Sequence, residues 1–157
     1  MASVLEAPPA GTGLDKPAAR ILSEALGDRV LRVSDFRGDL SISVTRGAWV
    51  EAARLLKDHR ELDFKLFLDL CAVDYLDKPG YPERYEVVLH VYSVSTKHHV
   101  RLKTQVPEAD AKLPTLVGVY RGANWFEREA WDLYGVVFEG HPNLSRLLTH
   151  DDFVGHP

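Results

Sequence analysis

A single cysteine, Cys71, stands in a chain of 157 residues. No disulfide can close within the chain, and four thiolates for an iron–sulfur cluster or a structural zinc are not available. Cys71 lies in the apolar run 67–73 and reads as a small core residue, with a reducing compartment the natural setting. Excess positive charge is also lacking: the formal net charge is -4 and the pI near 6.0, which argues against a nucleic-acid partner. No apolar stretch reaches the roughly 18 residues of a membrane span. The N-terminus has neither the basic start and apolar core of a secretory signal nor the arginines of a transit peptide. Phosphate-cradling G-x-G-x-x-G and P-loop signatures are missing, as is a G-x-S-x-G elbow.

What is present suits an ordinary globular domain, 45% hydrophobic and 27% charged. A chain this long buries roughly 70% of its unfolded surface and needs no metal to fold. Residues 1–14, rich in Ala, Pro and Gly, read as a flexible tail. Asp15 is the expected cap and Pro17 the first turn of a helix with apolar residues at 18, 21, 22, 25 and 26, ended by Gly27. Residues 29–33 and 40–44 read as strands about a 37–39 turn, and Thr45 as the cap of a second helix carrying Trp49, Ala52, Leu55 and Leu56. Residues 64–74 form the expected buried strand, 77–82 a loop, and 85–94 and 100–106 two further strands joined at 95–97. Residues 113–120 fit a strand or a short helix equally, and 123–134 read as a helix with Asn124 a possible cap. The implied fold class is α+β: one domain over 15–134, with a mixed or antiparallel sheet and helices packed on it, followed by an irregular segment over 135–157.

Several residues invite a chemical reading. Glu127, Glu129, Asp132 and His141 are conceivable metal ligands of a free-standing hydrolase, yet Arg128 sits among them and repels a cation. Arg128 and Asp132, four apart on a helix, read better as an ion pair. Adjacent His98 and His99 point to opposite faces of a strand, and with Lys97, Arg101 and Lys103 they read as protection of a basic sheet edge. Asp69 and Asp74 face opposite ways and read as structural.

The last segment is different. Glycine and proline at 135, 140, 142, 155 and 157 forbid a long helix or regular strand. Eight large apolar residues, among them Val136, Phe138, Leu144, Leu148, Phe153 and Val154, are too many for a disordered tail. At roughly 1.5–3 kcal/mol each they have to pack on something, and another polypeptide is the expected cover.

The stretch Ala123-Asn124-Trp125-Phe126-Glu127-Arg128-Glu129-Ala130-Trp131-Asp132-Leu133-Tyr134-Gly135 resembles the signature of the C subunit of proton-pumping NADH:quinone oxidoreductase, respiratory complex I. Phe138 to Leu144, Arg146 to Thr149 and the second Gly155-His156-Pro157 are similar to its continuation, and Ala72-Val73-Asp74-Tyr75 less closely so. Two departures stand out. Ser145-Arg146 replaces two basic residues, and the chain ends where the family continues with a basic stretch, as expected of a shortened chain or of a member without that docking piece.

The resemblance implies an accessory subunit of the hydrophilic arm, on the cytoplasmic side of a bacterial inner membrane. It would hold no cofactor or metal and have no catalytic site of its own, with FMN and iron–sulfur clusters in partner subunits. The enzyme it serves is a translocase that passes electrons from NADH to quinone. Its implied partners are subunits D, B and I, and its implied docking residues are Trp125, Glu127, Arg128, Glu129, Asp132, His141, Pro142, Arg146 and His156. The two Gly-His-Pro turns would aim apolar residues into a neighbouring subunit. An equivalent subunit of a related membrane-bound hydrogenase or dehydrogenase fits the same motif.

Overall fold

The computed structural model describes residues 13–157, so nearly all of the expected N-terminal tail lies outside the described residues. Helix α1 spans Pro17–Leu26 and begins with proline, whose fixed φ and missing N–H suit the first helical position. Its cap residue is Lys16, which offers no side-chain acceptor, so Asp15 does not serve as the expected cap. Gly27, at φ 58°, ends it. Strands β1 (Val30–Phe36) and β2 (Asp39–Val44) form an antiparallel hairpin. Thr45 caps no helix with its side chain; one 3-10 turn, Arg46–Ala48, leads instead into α2, Trp49–Asp58.

Strands β3 (Leu66–Asp74), β4 (Tyr85–Ser93) and β5 (His98–Val106) follow as an antiparallel meander. The five strands run in the order β1-β2-β5-β4-β3, with β2 and β5 parallel. This places β5 inside the sheet, so His98, His99, Arg101 and Lys103 do not protect an edge. The edge strands are β1 and β3, and the burial of β3 is partial: Leu66 and Leu68 are exposed. Cys71 correspondingly lies half-buried rather than in the core.

One face of the sheet is largely apolar, by alternation along β2, β4 and β5. Ile42, Val87, Leu89, Val91, Leu102 and Val106 are fully buried there, together with Leu22 of α1 and Trp49 and Leu56 of α2. Each large side chain so placed contributes roughly 1.5–3 kcal/mol. The other face carries Asp69, Cys71, Glu86, His90, His99, Arg101 and Lys103.

Residues 113–120 divide between a three-residue strand, β6 (Lys112–Pro114), and turns. Helix α3, Ala123–Tyr134, packs against β3, with Phe126 edge-on to Phe67 at 5.2 Å; Gly122 rather than Asn124 is its cap residue. Gly135, in the left-handed conformation, stops it. A short strand, β7 (Val137–Glu139), then pairs in parallel with β6. Val136 and Phe138 enter the core, so the first residues after α3 are covered by the chain itself. From Gly140 onward the chain is irregular.

Candidate docking clasp

Helix α3 and residues 140–157 form one polar unit. A helix leaves its last carbonyls without intrahelical partners. Here the Asp132 carbonyl is reached by Arg146 Nη1 at 3.3 Å and by His156 Nδ1 at 2.9 Å. The fully buried Asp132 carboxylate gathers the segment around it. Its Oδ2 accepts the backbone N–H groups of Leu147, Leu148 and Thr149 at 3.0, 2.7 and 3.0 Å. Its Oδ1 accepts the Thr149 hydroxyl, and Arg146 Nη1 at 3.0 Å. Burial pushes this carboxyl up, but the Thr149 hydroxyl and the backbone donors hold it well below the ordinary carboxylate range.

Arg146 completes the knot. Its Nη2 donates to the carbonyls of Phe153 and Gly155 at 2.9 and 2.8 Å, and its guanidinium lies 5.0 Å from the Trp131 ring centre. One planar fork thus joins the helix end to both halves of the tail. The ion pair expected between Arg128 and Asp132 does not form. Arg128 lies over the Trp125 ring at 5.3 Å and donates to the carbonyls of Ser145 and Arg146 at 3.2 and 3.0 Å. Local spacing offered Asp132 one charge four residues away; the tail offers it a charge, a hydroxyl and a row of N–H groups at once.

Glu127 is the second buried carboxylate. Its Oε1 accepts the Leu116 N–H at 2.6 Å and its Oε2 the Thr115 hydroxyl at 2.5 Å, tying α3 to the β6 segment. Burial pushes it up to about 7, against the pull of those two bonds. His141 Nε2 lies 4.0 Å from Glu127 Oε2, both side chains fully buried. His141 Nδ1 accepts the Asn143 N–H at 3.0 Å, so Nε2 carries the proton and donates to the Asn124 carbonyl at 2.9 Å.

Each Gly-His-Pro therefore turns its imidazole back onto α3, His141 at the first turn and His156 at the last. Outward lie Trp125 (63% exposed), Leu148 (62%) and Val154 (94%), with Glu129 and Pro142 also exposed. The imagined hydrolase ligands are not assembled, because Glu127 and Asp132 are committed to different partners. Thr115, Thr149 and Gly135 carry contacts that sequence reasoning did not assign; the glycine alone had a signal, as a helix stop.

A family model described as "Respiratory-chain NADH dehydrogenase, 30 Kd subunit" matches residues 42–157, which include the second half of β2, β3 to β5, α3 and the whole clasp. The chain belongs to this family. The C subunit of the NADH-quinone oxidoreductase of Roseiflexus castenholzii is 43% identical over 145 residues, covering 92% of this chain and 82% of that protein. That of Geobacter sulfurreducens is 43% identical over 136 residues, covering 87% and 82%. Among solved structures, a trypsin-resistant fragment of Nqo5 superposes with a TM-score of 0.68 at 32% identity, over 80% of this chain and 97% of the fragment. A chain of the membrane-bound sulfane sulfur reductase, an archaeal respiratory membrane complex, gives a TM-score of 0.68 at 27% identity, over 85% and 74%. Among the described residues, no helix of this 30 Kd subunit relative is long and apolar enough to cross a membrane.

Proposed function

We propose that this chain is an accessory subunit, without cofactor or catalytic site of its own, in the hydrophilic arm of a proton-translocating NADH:quinone oxidoreductase. It docks on the quinone-site D subunit beside the cluster-bearing B and I subunits, on the cytoplasmic side of a bacterial inner membrane, while FMN and the clusters reside in those partners and others. The observation that carries this reading is the division of labour in the clasp. Its Asp132, His141, Arg146 and His156 are spent on joining the tail to α3, which fixes a segment of little regular structure. Its apolar residues Trp125, Leu148 and Val154 are left facing out, as an interface residue has to be before its partner arrives.

The likeness to a chain of the sulfane sulfur reductase supports a second reading, the equivalent subunit of a related membrane-bound complex. Affinity purification from native membranes, with identification of the co-purifying chains, separates the two: a flavin- and NAD-binding pair belongs to the first. The double substitution Leu148→Asp and Val154→Asp is expected to strip those chains away while leaving the free chain's melting temperature unchanged. Arg128→Ala is expected to lower the yield of assembled complex and leave turnover per assembled complex intact. Normal assembly of both variants would overturn the docking role.

A further inference from the structure

The polar face of the sheet holds a second cluster, apart from the knot around Asp132 and Arg146. On β3, the pairing with β4 steps from Phe67 opposite Val91 to Asp69 opposite His90, so Leu68 is an extra, bulged residue. Without that bulge, alternation would set a leucine across from His90; with it, a carboxylate stands there. Cys71, two residues further, shares the face and lies diagonal to His90, being paired with Val88. One ligand atom from each of Asp69, Cys71 and His90 lies within 4.8 Å of the other two, and all three residues are half-buried. A tetrahedral ion with bonds of about 2.0–2.3 Å needs donors about 3.3–3.8 Å apart, an adjustment of roughly 1 Å.

The surroundings suit an ion. Among the described residues, the Asp69 carboxylate and the Cys71 thiol make no hydrogen bond, so their lone pairs are uncommitted. His99 on β5 stacks on His90 with ring centres 5.3 Å apart, its Nε2 3.2 Å from His90 Nδ1. Its own Nδ1 lies 3.7 Å from Asp39 Oδ1. A carboxylate–imidazole chain of this kind orients a ligating histidine. The two cations of β5 on this face are already matched, Arg101 to Asp39 at 2.6 Å and Lys103 to Glu86 at 3.0 Å. Glu129 of α3 adds negative charge felt at the Cys71 sulfur.

We propose that Asp69, Cys71 and His90 bind one divalent transition-metal ion of the zinc class through a carboxylate oxygen, Sγ and a ring nitrogen. A thiolate, an imidazole and a carboxylate are the donor set that zinc takes, and three of them leave a fourth position open. The ion ties edge strand β3 to β4 at the bulge, a structural role that leaves the chain without a redox or catalytic cofactor of its own.

The test uses the untagged full chain, reduced and stripped with chelator, and titrated with Co²⁺ as the probe. One equivalent is expected to produce a thiolate-to-cobalt charge-transfer band, which one equivalent of Zn²⁺ then bleaches. Cys71→Ser and His90→Ala each lose the band, His99→Ala weakens affinity about 10–100-fold, and His150→Ala, in the tail, binds as the wild type does. Circular dichroism establishes that each variant is folded. The proposal is overturned if the wild-type chain gives no charge-transfer band, or if a band persists in Cys71→Ser. The wild-type titration alone decides the matter should a variant fail to fold.

Discussion

The imidazole of His156 lies against Gly135, so close that a Cβ at position 135 would come within 2.9 Å of its Cδ2. Gly135 also has φ 79°, where L side chains are strained. Helix stop and tail anchor therefore meet at one residue. Gly135→Ala is expected to destabilise the chain by about 1–3 kcal/mol and to release the last residues. Faster proteolysis after residue 145 than in the wild type is the check; unchanged protection would mean that His156 does not rely on this approach.

Glu127 makes stability depend on pH. Its folded carboxyl titrates near 7 and the unfolded one near 4.5. Between these values the folded state holds a proton that the unfolded chain releases, so stability is fully present below about 4.5 and declines as pH rises through 7. The difference is on the order of 3 kcal/mol. Glu127→Gln mimics the protonated form and is expected to flatten this slope and to match or exceed the wild type at about pH 8. Chemical denaturation of both proteins across that range measures it.

Asp132 has the opposite sign. Its folded carboxyl lies below the ordinary value of 3.8, so the stability it contributes is present above that value and lost as pH falls further. Asp132→Asn leaves Arg146 facing a neutral group and removes an acceptor from the fully buried Asp132 position, with an expected cost of about 3–5 kcal/mol. Arg146→Ala is expected to cost less, because three backbone N–H groups still satisfy Asp132. Equal losses in denaturant titrations of the two variants would contradict that order.

Truncation distinguishes core from clasp. Removing 140–157 is expected to lower the melting temperature but leave a cooperative transition, since Val136 and Phe138 remain buried. Removing 136–157 takes those side chains away, roughly 1.5–3 kcal/mol each, together with the β7 pairing. That shorter chain is expected to melt without a sharp transition in calorimetry.

Elements with local signals were legible from residue order alone: the apolar stripes of α1 and α2, the alternation of β4 and β5, the stop at Gly135, and the Glu127-Arg128-Glu129 pattern with its Gly-His-Pro sequel. Those signals repeat at fixed short spacings, so one strand or helix reveals them. Which residue meets which was settled only by the folded chain. Arg146 rather than Arg128 reaches Asp132, β5 lies inside the sheet rather than at its edge, Cys71 faces away from the core, and a one-residue bulge sets Asp69 against His90. The physical reason is that such contacts depend on strand register and chain reversal between segments far apart in sequence. A single-residue shift there exchanges one face for the other, while every local pattern stays as it was.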